Sequence, residues 1–237
     1  MTTPHEPHRS FGVVVVAAGS GSRLGAPVPK AFVELAGHPL LEYAVRSALR
    51  ARPSIVVVAA PATHVDEAVD LLEPLSREHG IPVQVVPGGA ERGDSVLAAV
   101  RWLPAGCEVV LVHDAARALA PAALFAAVAG AVTPDVPAVV PGLPVVDTIK
   151  SVDDAGLVTA TLDRSRLRTV QTPQGFRREV LVEAHRVHGS LATDDAGLVE
   201  RLGLPVRVID GHPAARKITT PEDLLHAERL LADAARR

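Results

Sequence analysis

The sequence predicts an α/β protein with one mainly parallel central sheet flanked by helices, and three observations carry that reading. Short valine-rich runs are apolar throughout rather than alternating, as strands covered on both faces are. Segments of helical period lie between them, so strand and helix alternate along the chain. Loops rich in glycine or carrying an acid follow several of the runs, where parallel sheets bind ligands.

In chain order, MTTPHEPHRS (residues 1–10) is expected to be a flexible leader, since it lacks the apolar segment of a secretory signal. Residues 11–237 read as a single domain. Strands are expected at Phe11–Ala18, Ile55–Ala60, Val83–Val86, Val109–Val112, Ala138–Val140 and Val206–Ile209. LLEYAVRSALRA sets Leu41, Ala44, Val45, Ala48 and Leu49 on one stripe, the mark of a helix with one buried face. Further helices are expected near Val65–Glu78, Asp94–Trp102, Pro121–Val132, Arg178–His188, Asp195–Leu202 and Pro221–Ala235. Pro121 and Pro221 suit a first helical turn, and Thr220 before Pro221, Glu222 and Asp223 makes a capped, acid-rich start. Asp94 or Ser95 is the expected cap of the helix behind Gly88-Gly89. From about 144 to 172 the alternation breaks. Strand-like pieces flank an Asp153-Asp154-Ala155-Gly156 turn with no long helix between them, so a β-arm should project there, packed at a sheet edge or reaching a partner subunit.

Composition narrows the function. The chain is 48% hydrophobic but only 3% aromatic, so Val, Leu and Ala must fill the core. A net charge of -3 gives no global field that would draw in nucleic acid or anionic lipid, so any polyanion must be small and held locally. No apolar stretch reaches the length of a membrane span. The single cysteine, Cys107, rules out a disulfide framework, reads as a small buried residue, and suits a reducing, cytoplasmic setting. Of the 24 Lys and Arg residues only Lys30, Lys150 and Lys217 are lysines; either a compact ammonium is needed there or chance put them there.

Three segments carry candidate chemistry. In AAGSGSRLGAPVPK, Leu24 stands where a dinucleotide fingerprint needs its third glycine, and no Gly-Lys-Ser/Thr ending completes a P-loop. What remains is a bare strand exit, Ala17-Ala18-Gly19, against which a base or triphosphate could lie, with main-chain N–H groups to cradle anionic oxygens. Arg23 and Lys30 are then cations above those oxygens, or else solvated charges on a surface loop. PGGAERGDSV follows an expected strand and on local grounds reads as a well-made turn. In LVHDAARAL, Asp114 at a strand's carboxyl end is placed to hold a hydrated Mg²⁺ that bridges phosphates, with a cap or salt bridge as the alternative. His113 has no second His or Cys at zinc-ligand spacing and reads as structural. Asp194-Asp195 reads as a helix cap, because adjacent residues on a helix do not face one another.

Together AAGSGSRLGAPVPK, GGAERGDSV, LVHDAAR, DTIK, LDRSRL, QTPQGF, TDDA and KITTPEDL resemble the ordered motifs of the 2-C-methyl-D-erythritol 4-phosphate cytidylyltransferase family of non-mevalonate isoprenoid biosynthesis. The resemblance spans nearly the whole chain. It implies a glycosyltransferase-A-like nucleotidyltransferase fold whose β-arm clasps a second subunit in a homodimer. It also implies a reaction in which CTP and the sugar-alcohol phosphate give the cytidine diphospho product and pyrophosphate, with Mg²⁺ or another divalent cation. By that resemblance Arg23, Lys30 and Lys217 would be catalytic. Ala17, Ala18, Gly19, Gly89, Ala90 and Ser95 would bind the nucleotide. Asp114 would stand by the metal and the acceptor, with Arg117, Thr172, Thr193 and Lys217 around the acceptor phosphate. Thr148 and Arg164 would reach in from the other subunit's arm. Ala118, Gly197 and Ala90 depart from residues frequent in the family. A cytidylyltransferase for another polyol phosphate, such as ribitol 5-phosphate, and a non-catalytic nucleotide-binding regulatory homologue are the alternatives.

Overall fold

The structure, a computed structural model, describes residues 10–19, 24, 26–189 and 194–236. The leader up to residue 9, Arg23 and Thr193 lie outside them.

Strand β1 (Phe11–Val16) leads through a short 3-10 turn at Lys30–Phe32 to the small hairpin β2 (Glu34–Leu35) and β3 (His38–Pro39). Then come α1 (Leu40–Arg50), β4 (Ile55–Ala60), α2 (Val65–His79), β5 (Val83–Pro87) and α3 (Arg92–Val100). Next are β6 (Val109–Asp114), α4 (Ala122–Ala131) and β7 (Ala138–Pro144). The chain continues as β8 (Lys150–Val152), β9 (Val158–Thr161), β10 (Arg168–Val170), β11 (Gln174–Arg177) and α5 (Arg178–His188). It ends with α6 (Asp195–Arg201), β12 (Val206–Asp210) and α7 (Pro221–Ala235).

Among the described residues the main sheet runs β10-β7-β11-β6-β1-β4-β5, with β12 also paired to β7. The pairs β1–β4, β1–β6, β4–β5 and β7–β12 are parallel, and β10 and β11 enter antiparallel. The expectation of a mainly parallel sheet holds, with an antiparallel strand wedged between β6 and β7. Along β1, Val13 and Val15 pack with α1, α2 and α4 on one face, and Val14 packs with α3, α5 and α6 on the other. Burial on both faces is why the strand is apolar at consecutive positions. A third cluster, with Leu35, Leu40, Ile218 and Ala227, seats α7 on the small hairpin.

The expected arm is present: β8 and β9 pair antiparallel across a turn ending at Gly156, and the chain returns along β10 to β7. Two starts differ from expectation. Helix α3 begins at Arg92 with Glu91 at its N-cap, and Asp94 reaches back from inside the first turn to accept the Glu91 N–H at 3.2 Å. Pro121 is the N-cap of α4 rather than its first helical residue. Trp102, expected at the end of α3, lies past it and is exposed.

Candidate active site

Parallel strands deliver their carboxyl ends to one edge, and a cleft of about 340 Å³ opens there. Val16 of β1 lies opposite Asp114 of β6 in register, so the bare exit Ala17-Ala18-Gly19 runs beside Asp114-Ala115-Ala116. Among the described residues, a Cβ on Gly19 would meet nothing within 4 Å. Gly88 accounts for the closeness of the next loop. Its N–H continues the ladder to Ala60 O at 2.7 Å, and a Cβ there would stand 2.7 Å from Ala18 Cβ and 2.9 Å from Ser95 Oγ. At Gly89 a Cβ would fall 2.2 Å from that of Asp94. Ser95 holds this turn from below: its hydroxyl accepts the Gly89 N–H at 3.1 Å and donates to Glu91 O at 3.2 Å. Ala17, Ala18, Gly19, Gly89, Ala90, Ser95, Lys30 and Lys217, all expected at the site, line this one cleft with Asp114.

Asp114 is the electrostatic centre. Its Oδ2 accepts from Lys217 Nζ at 2.7 Å, and its Oδ1 faces Arg92 Nε and Nη2, both at 3.3 Å. Burial opposes its ionisation, but Arg92 and then Lys217 outweigh burial and hold the carboxyl well below the usual carboxylate range. Arg92 lines the cleft and bonds a second carboxylate, Asp195 Oδ2, at 2.6 Å. Burial works against the Arg92 charge, yet Asp195 and Asp114 together raise its pKa above that of a free guanidinium. Sequence reasoning missed Arg92. Its only signal was a place inside PGGAERGDSV, where it looked like one more loop charge.

Other expected residues lie elsewhere. Thr172 is buried beneath Asp114 rather than lining the cleft: its hydroxyl accepts the Asp114 N–H at 3.0 Å and shares a 3.0 Å hydrogen bond with His113 Nδ1. His113 is fully buried against Phe125, and burial pushes its pKa down to about 4, which agrees with a neutral structural residue. Arg117 braces the main chain instead of facing the cleft. Its Nη1 donates to Ala215 O at 2.8 Å and its Nη2 to Val170 O at 3.1 Å. Thr148 and Arg164 sit on the exposed arm, away from this chain's own cleft, with Arg164 donating to Val146 O. Asp194 caps α6 as expected, accepting the Gly197 N–H at 3.0 Å, whereas Asp195 is buried against Arg92 and His185.

A divalent ion on Asp114 does not fit this arrangement. Both carboxylate oxygens face cations, so the ion would sit beside two positive side chains. Among the described residues no three His, Cys, Asp or Glu side chains gather into a metal-binding group. No helix there is long and apolar enough to cross a membrane.

Residues 11–233 match the sequence model of 2-C-methyl-D-erythritol 4-phosphate cytidylyltransferase. A protein of that name from Saccharopolyspora erythraea is 55% identical over 227 residues, covering 94% of this chain and 100% of the relative. One from Nocardia farcinica is 53% identical, covering 94% of each chain. The crystal structure of the cytidylyltransferase of that name from Thermus thermophilus superposes with a TM-score of 0.74 at 36% identity, over 94% of this chain and 99% of that one. A 4-diphosphocytidyl-2C-methyl-D-erythritol synthase from Anaerococcus prevotii superposes with a TM-score of 0.82 at 26% identity, over 95% and 100%.

Proposed function

The chain belongs to the 2-C-methyl-D-erythritol 4-phosphate cytidylyltransferase family of nucleotidyltransferases, and from that membership we propose how its own residues carry out the transfer. CTP lies along Ala17-Ala18-Gly19, with its base and ribose against the Gly89-Ala90 turn that Ser95 pins. A phosphate oxygen of the acceptor attacks the α-phosphorus in line. The bond from that phosphorus to the bridging oxygen breaks, and pyrophosphate leaves with the electron pair. Such a transfer asks the protein for positioning and for neutralisation of charge spread over phosphate oxygens.

Lys30 and Arg23 supply cations to the triphosphate, and Lys217 supplies one at the acceptor side. Asp114 accepts from the acceptor's hydroxyls. Thr193, by the family resemblance, would bind the acceptor phosphate, while Thr172 and Arg117 act from behind Asp114, holding its backbone N–H and the Ala215 turn. A divalent cation such as Mg²⁺ would supply counter-charge to the triphosphate, and Asp114, already engaged by Lys217 and Arg92, would not be its ligand. Thr148 and Arg164 complete the site from the arm of a second copy in a homodimer. Carrying this reading is the convergence on one cleft of an open glycine exit, two lysines and an ionised carboxylate.

The experiment is pyrophosphate release with CTP, Mg²⁺ and 2-C-methyl-D-erythritol 4-phosphate, omitting each in turn. Release only when all three are present is expected. Equal release with ribitol 5-phosphate would overturn the acceptor assignment, and none with either acceptor would overturn catalysis.

A further inference from the structure

Behind the cleft, charged and polar side chains continue into the core. Arg92 stands at the start of α3 between two carboxylates, Asp114 on the cleft side and Asp195 on the buried side. Asp195 is 1% exposed. Its second oxygen, Oδ1, accepts from His185 Nε2 at 2.8 Å, and His185 is itself buried on α5. The His185 ring also packs on the backbone after Arg92, since a Cβ on Gly93 would lie 3.3 Å from both Cε1 and Nδ1 of that ring. So α5 and α6 together fix where the first turn of α3 sits and where its guanidinium points.

The distances divide unequally. Arg92 meets Asp195 through Nη1 at 2.6 Å, while its two contacts with Asp114 are both 3.3 Å. A guanidinium left to one carboxylate closes on it as a bidentate fork at about 2.7–2.9 Å. Here the buried carboxylate holds Nη1 away, and Asp114 receives a loose side-on contact instead. Its Oδ1 keeps room for another donor.

We infer that Asp195, oriented by His185, is a positioning residue: it restrains Arg92 so that Asp114 stays open to the hydroxyls of the polyol phosphate. The inference rests on the reading above that Asp114 receives the acceptor. With Asp195 neutral, Arg92 closes onto Asp114 and competes with the acceptor, while the nucleotide wall at Gly19 and Gly89 is untouched.

The test is steady-state kinetics on folded Asp195→Asn, Asp114→Asn and the double variant, varying acceptor and CTP separately. Asp195→Asn should raise KM for the acceptor about tenfold with KM for CTP within about twofold, a change of roughly 1.4 kcal/mol in one substrate only. Added to Asp114→Asn it should have almost no further effect, because it acts through that carboxylate. His185→Gln, which keeps an N–H donor, should retain more acceptor affinity than His185→Ala. If Asp114→Asn raises the acceptor KM and Asp195→Asn does not, this inference fails and the Asp114 reading stands. If Asp114→Asn leaves that KM unchanged, the Asp114 reading itself fails. A lowered Tm with both KM values unmoved, or effects that simply add in the double variant, would reduce Asp195 to a structural role and overturn the inference.

Discussion

Lys30 and Lys217 line the same cleft from positions 187 apart in the chain, and under the proposed function each puts a compact ammonium where phosphate charge would be neutralised. Lys30→Ala should lower turnover by about 10²–10³, the size of losing one transition-state donor, measured as pyrophosphate release at saturating substrates. Asp114 adds a pH dependence. Its pKa is lower folded than unfolded, so its contribution to stability is complete above the usual carboxylate range, near 4, and is lost as pH falls toward the lowered value. The gap in urea midpoint between wild type and Asp114→Asn should therefore be largest near neutral pH and narrow steadily below about pH 4. A gap that widened in acid would contradict the pairing with Lys217 and Arg92. At this scale the place of Asp114 at a strand's carboxyl end was legible from the residues, whereas Lys217 joined the candidate site only through the family resemblance. Arg117 and Thr172, expected around the acceptor, bond backbone groups in the structure, and the sequence could not show this because a side chain that braces a carbonyl or N–H has the same one-letter code as one that touches substrate.

Two elements hold the cleft's shape. The close approach of Gly88 to Ala18 and Ser95 leaves no room for a methyl group, so Gly88→Ala should push the two loops apart. Overpacking of this kind costs about 1–3 kcal/mol, and it should appear as weaker CTP binding by calorimetry with a smaller change in acceptor affinity. Helix α7 starts on the expected Thr220 cap, with Asp223 accepting from Thr219 N, Thr219 Oγ1 and Thr220 N at 2.8–3.0 Å. Asp223→Ala should lower stability by about 1–2 kcal/mol, read as a lower Tm. That cap and the arm's turn were legible from residue types at fixed offsets. Strand β11 was not. Its Gln174-Gly175 opening looks like loop, and only the fold explains it: a Cβ on Gly175 would lie 2.6 Å from Val128 and 3.0 Å from Leu111 and Val132. The start of α3 escaped as well, since Glu91 is not among the usual N-cap residues.

For the molecule as a whole, the arm is the feature on which the proposed homodimer depends. Val146 is 76% exposed and Leu157 67%, with Val152 and Val158 also exposed on the same projection. Apolar side chains clustered on an extended arm suit a partner surface, and in the two-fold dimer proposed above each arm would reach the other subunit's cleft. If Arg164 acts across that interface, Lys30→Ala and Arg164→Ala, each nearly inactive alone, should recover about a quarter of wild-type activity when dissociated and mixed, from one intact site in half of the dimers. No recovery, with exchange verified by mass, would place Arg164 in its own subunit's site. The wedged strand β11 also bears on biosynthesis. β6 pairs with β11, which is made some sixty residues later, after the arm. On the ribosome the wall of the cleft formed by β1, β4, β5 and α3 can assemble early, but β6 must wait with one edge bare until β11 emerges. During that interval the nascent chain carries an unpaired apolar edge open to self-association. Chains stalled within the arm should therefore be bound by chaperones more strongly than chains stalled after residue 177.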